Sequence, residues 1–355
     1  MLPPAGVHGG TAVKAVTDEL DLIPAERREA ARTALGAVFA ARPVDSLQLL
    51  QGGVSGALIW RVDVGERACV LRLEPERIAL HHRQRGYACM TAAAAAGVAP
   101  AVRYADPATG VAVMDFVDGR PLSAHPGGSA GLVRELGTLI ARLQATPPFR
   151  PLGDSGDVIA ALLAALRALG LFAPGLLDPH TAGLARIRAA CPWNPASLVS
   201  GHNDPNPRNM LFDGRRVWLV DWELAFRNDP LFDVAILTTE LAVTPDLEDI
   251  LVAAAFGRPL DPALRARLVV TRLLTRLFYG CIALEAFAGL PRAAPEDSLD
   301  ALTPAAFRSA VADCRLESGS EIAWAFGKMS LAAFIDGLSA PGIDQALELA
   351  RQAVV

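Results

Sequence analysis

The chain has 355 residues, 52% of them hydrophobic, enough for a sizeable core in one two-lobed unit or two domains. A formal net charge of −5 excludes a nucleic-acid binder held by bulk positive charge, and no uninterrupted apolar run reaches the length of a membrane span. The five cysteines, Cys69, Cys89, Cys191, Cys281 and Cys314, form no CxxC pair, and residues 1–32 hold no apolar signal core. A reduced, cytoplasmic protein with buried thiols is expected.

In chain order, residues 22–41 read as an amphipathic helix opened by Pro24. Residues 46–51 are strand-like and lead into the glycine turn Gly52-Gly53-Val54-Ser55-Gly56. Residues 58–64 and 68–73 form a hairpin about Gly65-Glu66. A helix over 78–96 ends at Gly97. Residues 111–117 form an apolar strand carrying Asp115 and Val117, followed by the turn Asp118-Gly119-Arg120-Pro121. Beyond it the pattern is nearly all helical, over 130–145, 158–169, 179–190, 230–242, 246–256, 262–290 and 320–338. Strands and one helix first, then mostly helices, predict an α+β class.

The most informative stretch is 199–240, with His202-x-Asp204-x4-Asn209 and then Asp221 inside Val-Asp-Trp-Glu. Residues 210–212 and 217–220 are short, apolar and β-prone, and Asp213-Gly214 between them is a hairpin turn signal. The hairpin sets Asn209 at its entry and Asp221 at its exit. Mg²⁺ takes hard oxygen ligands, one or two from protein and the rest from phosphates and water. Asn209 offers a neutral amide oxygen and Asp221 an anionic one. Asp204 sits close enough to share the site without being a ligand, and can accept a hydrogen bond from a substrate hydroxyl. Phosphoryl transfer asks for positioning, charge neutralisation and a proton acceptor, which this set supplies.

These residues resemble the catalytic and metal-binding segments of the aminoglycoside phosphotransferase and choline kinase superfamily, closest to its choline/ethanolamine kinase branch. The resemblance covers residues 47–334. It implies a protein-kinase-like two-lobed fold, with a small β-rich N-lobe over 1–117, including the N-terminal helical extension, and a larger, mostly helical C-lobe over 118–355. It implies ATP and Mg²⁺ as cofactors, Asp204 as catalytic base, Asn209 and Asp221 as metal ligands, and His202 as a structural brace. Gly53, Ser55 and Gly56 then meet the phosphates, and backbone groups around Asp115 and Val117 meet the adenine edge.

Lysine is scarce: Lys14 and Lys328 are the only two among 33 Lys and Arg residues, and neither lies where such a fold needs its phosphate-binding cation. Arg72, in Val70-Leu71-Arg72-Leu73, stands at the strand position where protein kinases carry that lysine. A planar guanidinium can bridge two phosphate oxygens; an ordinary strand arginine is the plain alternative. The helix over 78–96 has no acidic residue to pair with it, and holds Gln84, Arg85 and Gly86 at the expected place. Either Glu74 or Glu76 substitutes, or nucleotide and polar contacts alone hold Arg72.

On the acceptor side, Asp229 before Pro230 reads as a helix cap and Trp222 as packing, and by the resemblance Asp233 braces the catalytic loop. By the resemblance, Glu240, seven residues after Asp233, belongs to a pocket for a cationic alcohol, with Tyr279 at one aromatic cage position and Ile282 at the other. Trp324 and Phe326 are further candidates for that pocket, although aromatics at helical spacing are more often core. The expected activity is a small-molecule kinase acting on the hydroxyl of a cationic, choline- or ethanolamine-like amino alcohol. The rival readings are an aminoglycoside, thiamine or other acceptor, and a pseudokinase that binds nucleotide without turnover.

Overall fold

The computed structural model describes residues 19–40, 42–50, 56–75, 80–152, 155–191, 194–285, 287, 294–316 and 318–353. Two compact units emerge, one from residues 1–77 and 103–116, the other from residues 78–102 and 117–355.

The first unit is a five-stranded sheet backed by one helix. Strands β1 (Ser46–Leu50), β2 (Leu58–Val64), β3 (Arg67–Leu73), β4 (Val102–Asp106) and β5 (Val111–Asp115) lie in the order β1-β2-β3-β5-β4. Pairing is antiparallel from β1 to β2, β2 to β3 and β3 to β5, with Arg72 opposite Ile59 and Ala112. Helix α1 (Ala25–Phe39) buries Ala31, Ala34, Leu35 and Phe39 in one core with Trp60, Val62, Leu71, Val111 and Val113. Its buried Arg27 ties it to the sheet end, donating to the carbonyl oxygens of Glu74, Thr109 (2.8 Å) and Gly110 (3.2 Å). Strand β4 was not foreseen. It is five residues long, begins two residues after Pro100, and is never fully buried, so it lacks an apolar signal. Its link to β5 is an Asx turn in which Asp106 accepts from the Ala108 N–H and the Thr109 hydroxyl.

The second unit is mostly helical. Helix α2 (Leu80–Ala95) belongs to it, although the sequence placed residues 78–96 with the strands. The reason is local: the α2 side chains of Arg85 and Cys89 bond to backbone carbonyls at 223–225, and the segment after α2 supplies the Val98 carbonyl to the Leu219 N–H. Helices α3 (Gly128–Gln144), α4 (Ser155–Ala168), α5 (Asp178–Ala190), α6 (Leu231–Glu240), α7 (Pro245–Phe256) and α8 (Pro262–Glu285) follow the expected pattern. Helix α10 (Gly319–Leu338) is opened by a Ser318–Glu321 capping box. Two short helices, α9 (Pro304–Ala312) and α11 (Ile343–Ala350), were not foreseen, being near the minimum length for a periodic signal. The main core gathers Ile159, Leu184, Phe232, Leu277, Phe278, Leu284, Leu331 and Phe334. No helix among the described residues is long and apolar enough to cross a membrane.

Helices α8 and α10 touch at glycines. A Cβ on Gly327 would lie 2.5 Å from Leu284 Cγ, and one on Gly280 would lie 2.8 Å from Leu331 Cδ2. Both leucines are fully buried and have nowhere to retreat. Gly319, at the start of α10, meets nothing within 4 Å. Gly327→Ala is therefore expected to destabilise by about 1–3 kcal/mol through overpacking, outweighing the roughly 1 kcal/mol that alanine gains in helix propensity. Gly319→Ala is expected to be neutral or mildly stabilising. Urea denaturation of the two variants checks this; equal midpoints would contradict the close helix approach.

Candidate active site

The central segment folds around two small antiparallel pairs. Strand β6 (Val199–Gly201) pairs with β9 (Phe226–Asn228), and β7 (Met210–Phe212) with β8 (Val217–Leu219). The expected hairpin is present: Asp213 Oδ1 accepts the N–H groups of Arg215 and Arg216, each at 2.8 Å, closing the turn. One further bond, Val220 N–H to the Asn209 carbonyl at 2.9 Å, extends the ladder past the strands. It sets Asn209 across from the residue before Asp221.

The loop between β6 and β7 is shaped by one buried carboxylate. Asp233, in the first turn of α6, accepts the His202 N–H at 2.8 Å and the Asn203 N–H at 2.7 Å. Burial pushes its carboxyl up to about 6, and these two bonds work against that rise. Asn203 has φ +63°, the left-handed conformation that asparagine tolerates better than most residues. Its amide donates to the Leu224 and Phe226 carbonyls and its oxygen accepts from Asn228. Nothing local in the sequence marks this role for Asn203, because its partners at 224, 226 and 228 lie more than twenty residues on. Asp229 caps α6 as expected, accepting the Leu231 N–H at 2.9 Å, and is paired with Arg267.

His202 is fully buried. Nε2 donates to the Val220 carbonyl at 3.0 Å and Nδ1 accepts from the Asp204 N–H at 3.3 Å, a pattern that fits the neutral ring. Burial pulls its pKa down to about 4. The ring thus ties the loop of Asp204 to the segment of Asp221, a brace as expected, with Trp222 packed beside it at 4.5 Å between centroids.

Asp204 is the focus of the loop. Its Oδ1 accepts from the Tyr279 hydroxyl at 2.6 Å and from Asn206 Nδ2 at 2.7 Å; its Oδ2 accepts from Asn209 Nδ2 at 2.8 Å. Burial pushes the carboxyl up to about 6, and the hydrogen bonds from Tyr279, Asn206 and Asn209 pull it back. That value suits a base working near neutral pH. Asn209 turns Nδ2 toward Asp204, leaving its amide oxygen for a cation. Asp221 has φ +68°, uncommon for a residue with a side chain. The donor chemistry of Asn209 and Asp221, one neutral and one anionic oxygen, fits Mg²⁺. Among the described residues no group of three or more His, Cys, Asp or Glu could hold a metal by itself, and Mg²⁺ in phosphoryl transfer needs none.

The backbone beyond Asp221 is held by α2. Arg85 Nη2 donates to the Glu223 carbonyl at 2.9 Å and Nε to the Ala225 carbonyl at 3.2 Å. A Cβ on Gly86 would stand 3.4 Å from the Trp222 carbonyl. So Arg85 and Gly86, at the helix position expected to carry a glutamate, meet the segment after Asp221 instead.

Arg72 has its carboxylate partner on its own strand's exit. Its Nε lies 3.6 Å from Glu74 Oε1, both side chains about nine-tenths buried. Glu74, and not the helix, therefore takes that role; Glu76 lies outside the described residues. Gly53 and Ser55 also lie outside them, while Gly56 has φ +75°. Asp115 ends β5 with its carboxylate in a two-pronged pair with Arg103 at 2.6 and 2.7 Å, and Val117 follows where the second unit resumes.

The acceptor candidates separate. Glu240 ends α6; burial pushes its carboxyl up, and the charges of Arg308 and Arg208 work against that rise. Tyr279 reaches Asp204 by its hydroxyl, and its ring meets Phe326 at 6.0 Å and Phe278 at 5.8 Å. Phe326 also meets Phe307 of α9 at 5.7 Å. Trp324 instead stacks on Phe172 at 6.0 Å and meets Phe287 at 5.1 Å. Two residues apart on a helix point about 200° apart, so Phe326 faces Tyr279 and Trp324 does not. Ile282 packs against the main core.

The neutral, buried imidazole has a consequence for stability. Unfolded histidine titrates near 6.5, so between about 6.5 and 4 the unfolded chain binds a proton that folded His202 refuses. Acidification through that window favours unfolding by up to roughly 3 kcal/mol, and above it the term vanishes. His202→Gln, whose amide can still donate to Val220, is expected to lose less stability than the parent between pH 6.5 and 4.5. Urea midpoints across that range check it, since Asp204 and Asp233 titrate in both proteins; parallel curves would contradict the assignment.

Comparison with known proteins follows the same lines. A 50-residue stretch, 14% of this chain, is 42% identical to Protein LicA of Haemophilus influenzae, and covers 19% of that relative's length. The structure is similar to a choline/ethanolamine kinase family protein from Mesorhizobium loti, with a TM-score of 0.66, 24% identity, and coverage of 92% of this chain and 99% of that one. It is also similar to the choline kinase LicA from Streptococcus pneumoniae, with a TM-score of 0.59, 12% identity, and coverage of 86% and 98%. At these identities the structures establish the protein-kinase-like α+β fold. The model of the APH phosphotransferase enzyme family matches residues 46–272, well over half of the sequence, and the chain belongs to that family.

Proposed function

We propose that this phosphotransferase is an ATP- and Mg²⁺-dependent kinase for the hydroxyl of a small, singly cationic amino alcohol of the choline or ethanolamine type. The observation that carries the reading is the Asp204–Asn209 pair, fixed beside Asp221 by the Val220–Asn209 backbone bond. Five cysteines, all free, support a reducing, cytoplasmic setting.

In the proposed reaction the acceptor hydroxyl oxygen attacks the γ-phosphorus in line. A bond forms from that oxygen to phosphorus, the bond from phosphorus to the β–γ bridging oxygen breaks, and its electron pair leaves with ADP. The hydroxyl proton passes to Asp204. Mg²⁺ bound by Asn209 and Asp221 would supply neutralisation of phosphate charge. Arg72, held by Glu74, is proposed as the phosphate-binding guanidinium.

Glu240 offers the carboxylate for an ammonium group. The reading as a nucleotide binder without turnover drew on the missing helix glutamate. Glu74 beside Arg72 removes that support.

A screen for ADP release with Mg-ATP over choline, ethanolamine and other amino alcohols tests the reading, with calorimetry of ATP binding alongside. Asp204→Asn is expected to bind Mg-ATP as the parent does and to lose turnover by roughly 10²–10⁴-fold, the range of a general base. Turnover within a few-fold of the parent would remove Asp204 from its role.

A further inference from the structure

Tyr279 was expected to offer its ring face to a cation. Its hydroxyl is what meets the catalytic group, at 2.6 Å from Asp204 Oδ1. The hydroxyl comes from α8, 75 residues along the chain, and a phenylalanine would fill the same space without it. The phenol stays protonated, since burial and the neighbouring Asp204 charge raise it well above its ordinary value. Its ring is set edge-on between Phe278 and Phe326, and the next residue, Gly280, is pressed against Leu331 of α10. The donor is therefore held in place by the α8–α10 packing and not by the catalytic loop.

The count of lone pairs gives that bond a meaning. A carboxylate oxygen accepts about two hydrogen bonds. Oδ1 of Asp204 already has two, from Tyr279 and Asn206, while Oδ2 has one, from Asn209. One acceptor position remains, and it is on Oδ2.

Resting on the phosphotransfer reading above, we propose that Tyr279 is a positioning residue that saturates Asp204 Oδ1, so that Oδ2 alone receives the acceptor's hydroxyl. In the transfer step the hydroxyl proton goes to Oδ2 as the new oxygen–phosphorus bond forms and ADP departs. Without the phenol, Oδ1 is half vacant and the carboxylate can turn or receive the hydroxyl on the wrong oxygen. The role is in the chemical step, not in acceptor affinity.

Tyr279→Phe tests this, with Asp204→Asn and the double variant completing a cycle. With Mg-ATP and the best acceptor of the amino alcohol screen, Tyr279→Phe is expected to lower kcat roughly ten- to hundredfold, the effect of one hydrogen bond to a charged group. The acceptor KM should stay within about threefold, because the ring remains. In the Asp204→Asn background the same substitution should change the residual rate little, since Tyr279 acts through Asp204. Melting temperatures of all variants verify folding. An unchanged kcat, a loss confined to acceptor KM, or full additivity in the cycle would each overturn the inference. If Asp204→Asn itself retained full turnover, the phosphotransfer reading would be the one to fall.

Discussion

Two backbone N–H groups, from His202 and Asn203, end on the one buried carboxylate of Asp233, and the loop that carries Asp204 takes its course from that convergence. A carboxylate out of water is costly unless its lone pairs are used. Here they hold two successive peptides, one of them in the left-handed conformation of Asn203. The same turn lets His202 reach the Val220 carbonyl and Asn203 reach the carbonyls of Leu224 and Phe226. The loop and the segment around Asp221 are therefore one hydrogen-bonded body. Removing Asp233 would leave two buried donors and cost the site its shape before it cost the fold its core.

Around that body Asn209, the segment after Asp221, and Asp204 are each held from a different direction. The β7–β8 ladder fixes Asn209 against the residue before Asp221. Helix α2 holds the backbone after Asp221 through Arg85. Helix α8 holds Asp204 through Tyr279. This division explains why α2 groups with the helical unit: its Arg85 side chain bonds to the backbone after Asp221. It also explains why Arg72 draws its carboxylate from Glu74, two residues along the same strand.

What was legible in the sequence follows from range. Asp213-Gly214 between two apolar triplets announced the β7–β8 hairpin, because turn chemistry is local. The spacing of Asp204, Asn209 and Asp221 carried the expectation of phosphoryl transfer for the same reason. The bond from Tyr279 to Asp204 was not legible, since across a separation of 75 residues nothing says which way α8 faces. Strand β4 left no trace because neither of its faces is fully buried. Trp324 and Phe326 could have been separated in advance: two residues apart on a helix, only one could face Tyr279. Gly53 and Ser55 lie outside the described residues, and their part in phosphate binding stays a proposal from the resemblance.

In the proposed reaction Asp204, Asn209 and Asp221 move a γ-phosphate to a hydroxyl. Its most direct measurement is the fate of labelled γ-phosphate from ATP, incubated with Mg²⁺, the purified chain and choline or ethanolamine. The expected result is label in the phosphomonoester of the amino alcohol, growing in step with ADP. Label that stays in ATP, or appears only in inorganic phosphate across the amino alcohol series, would contradict it.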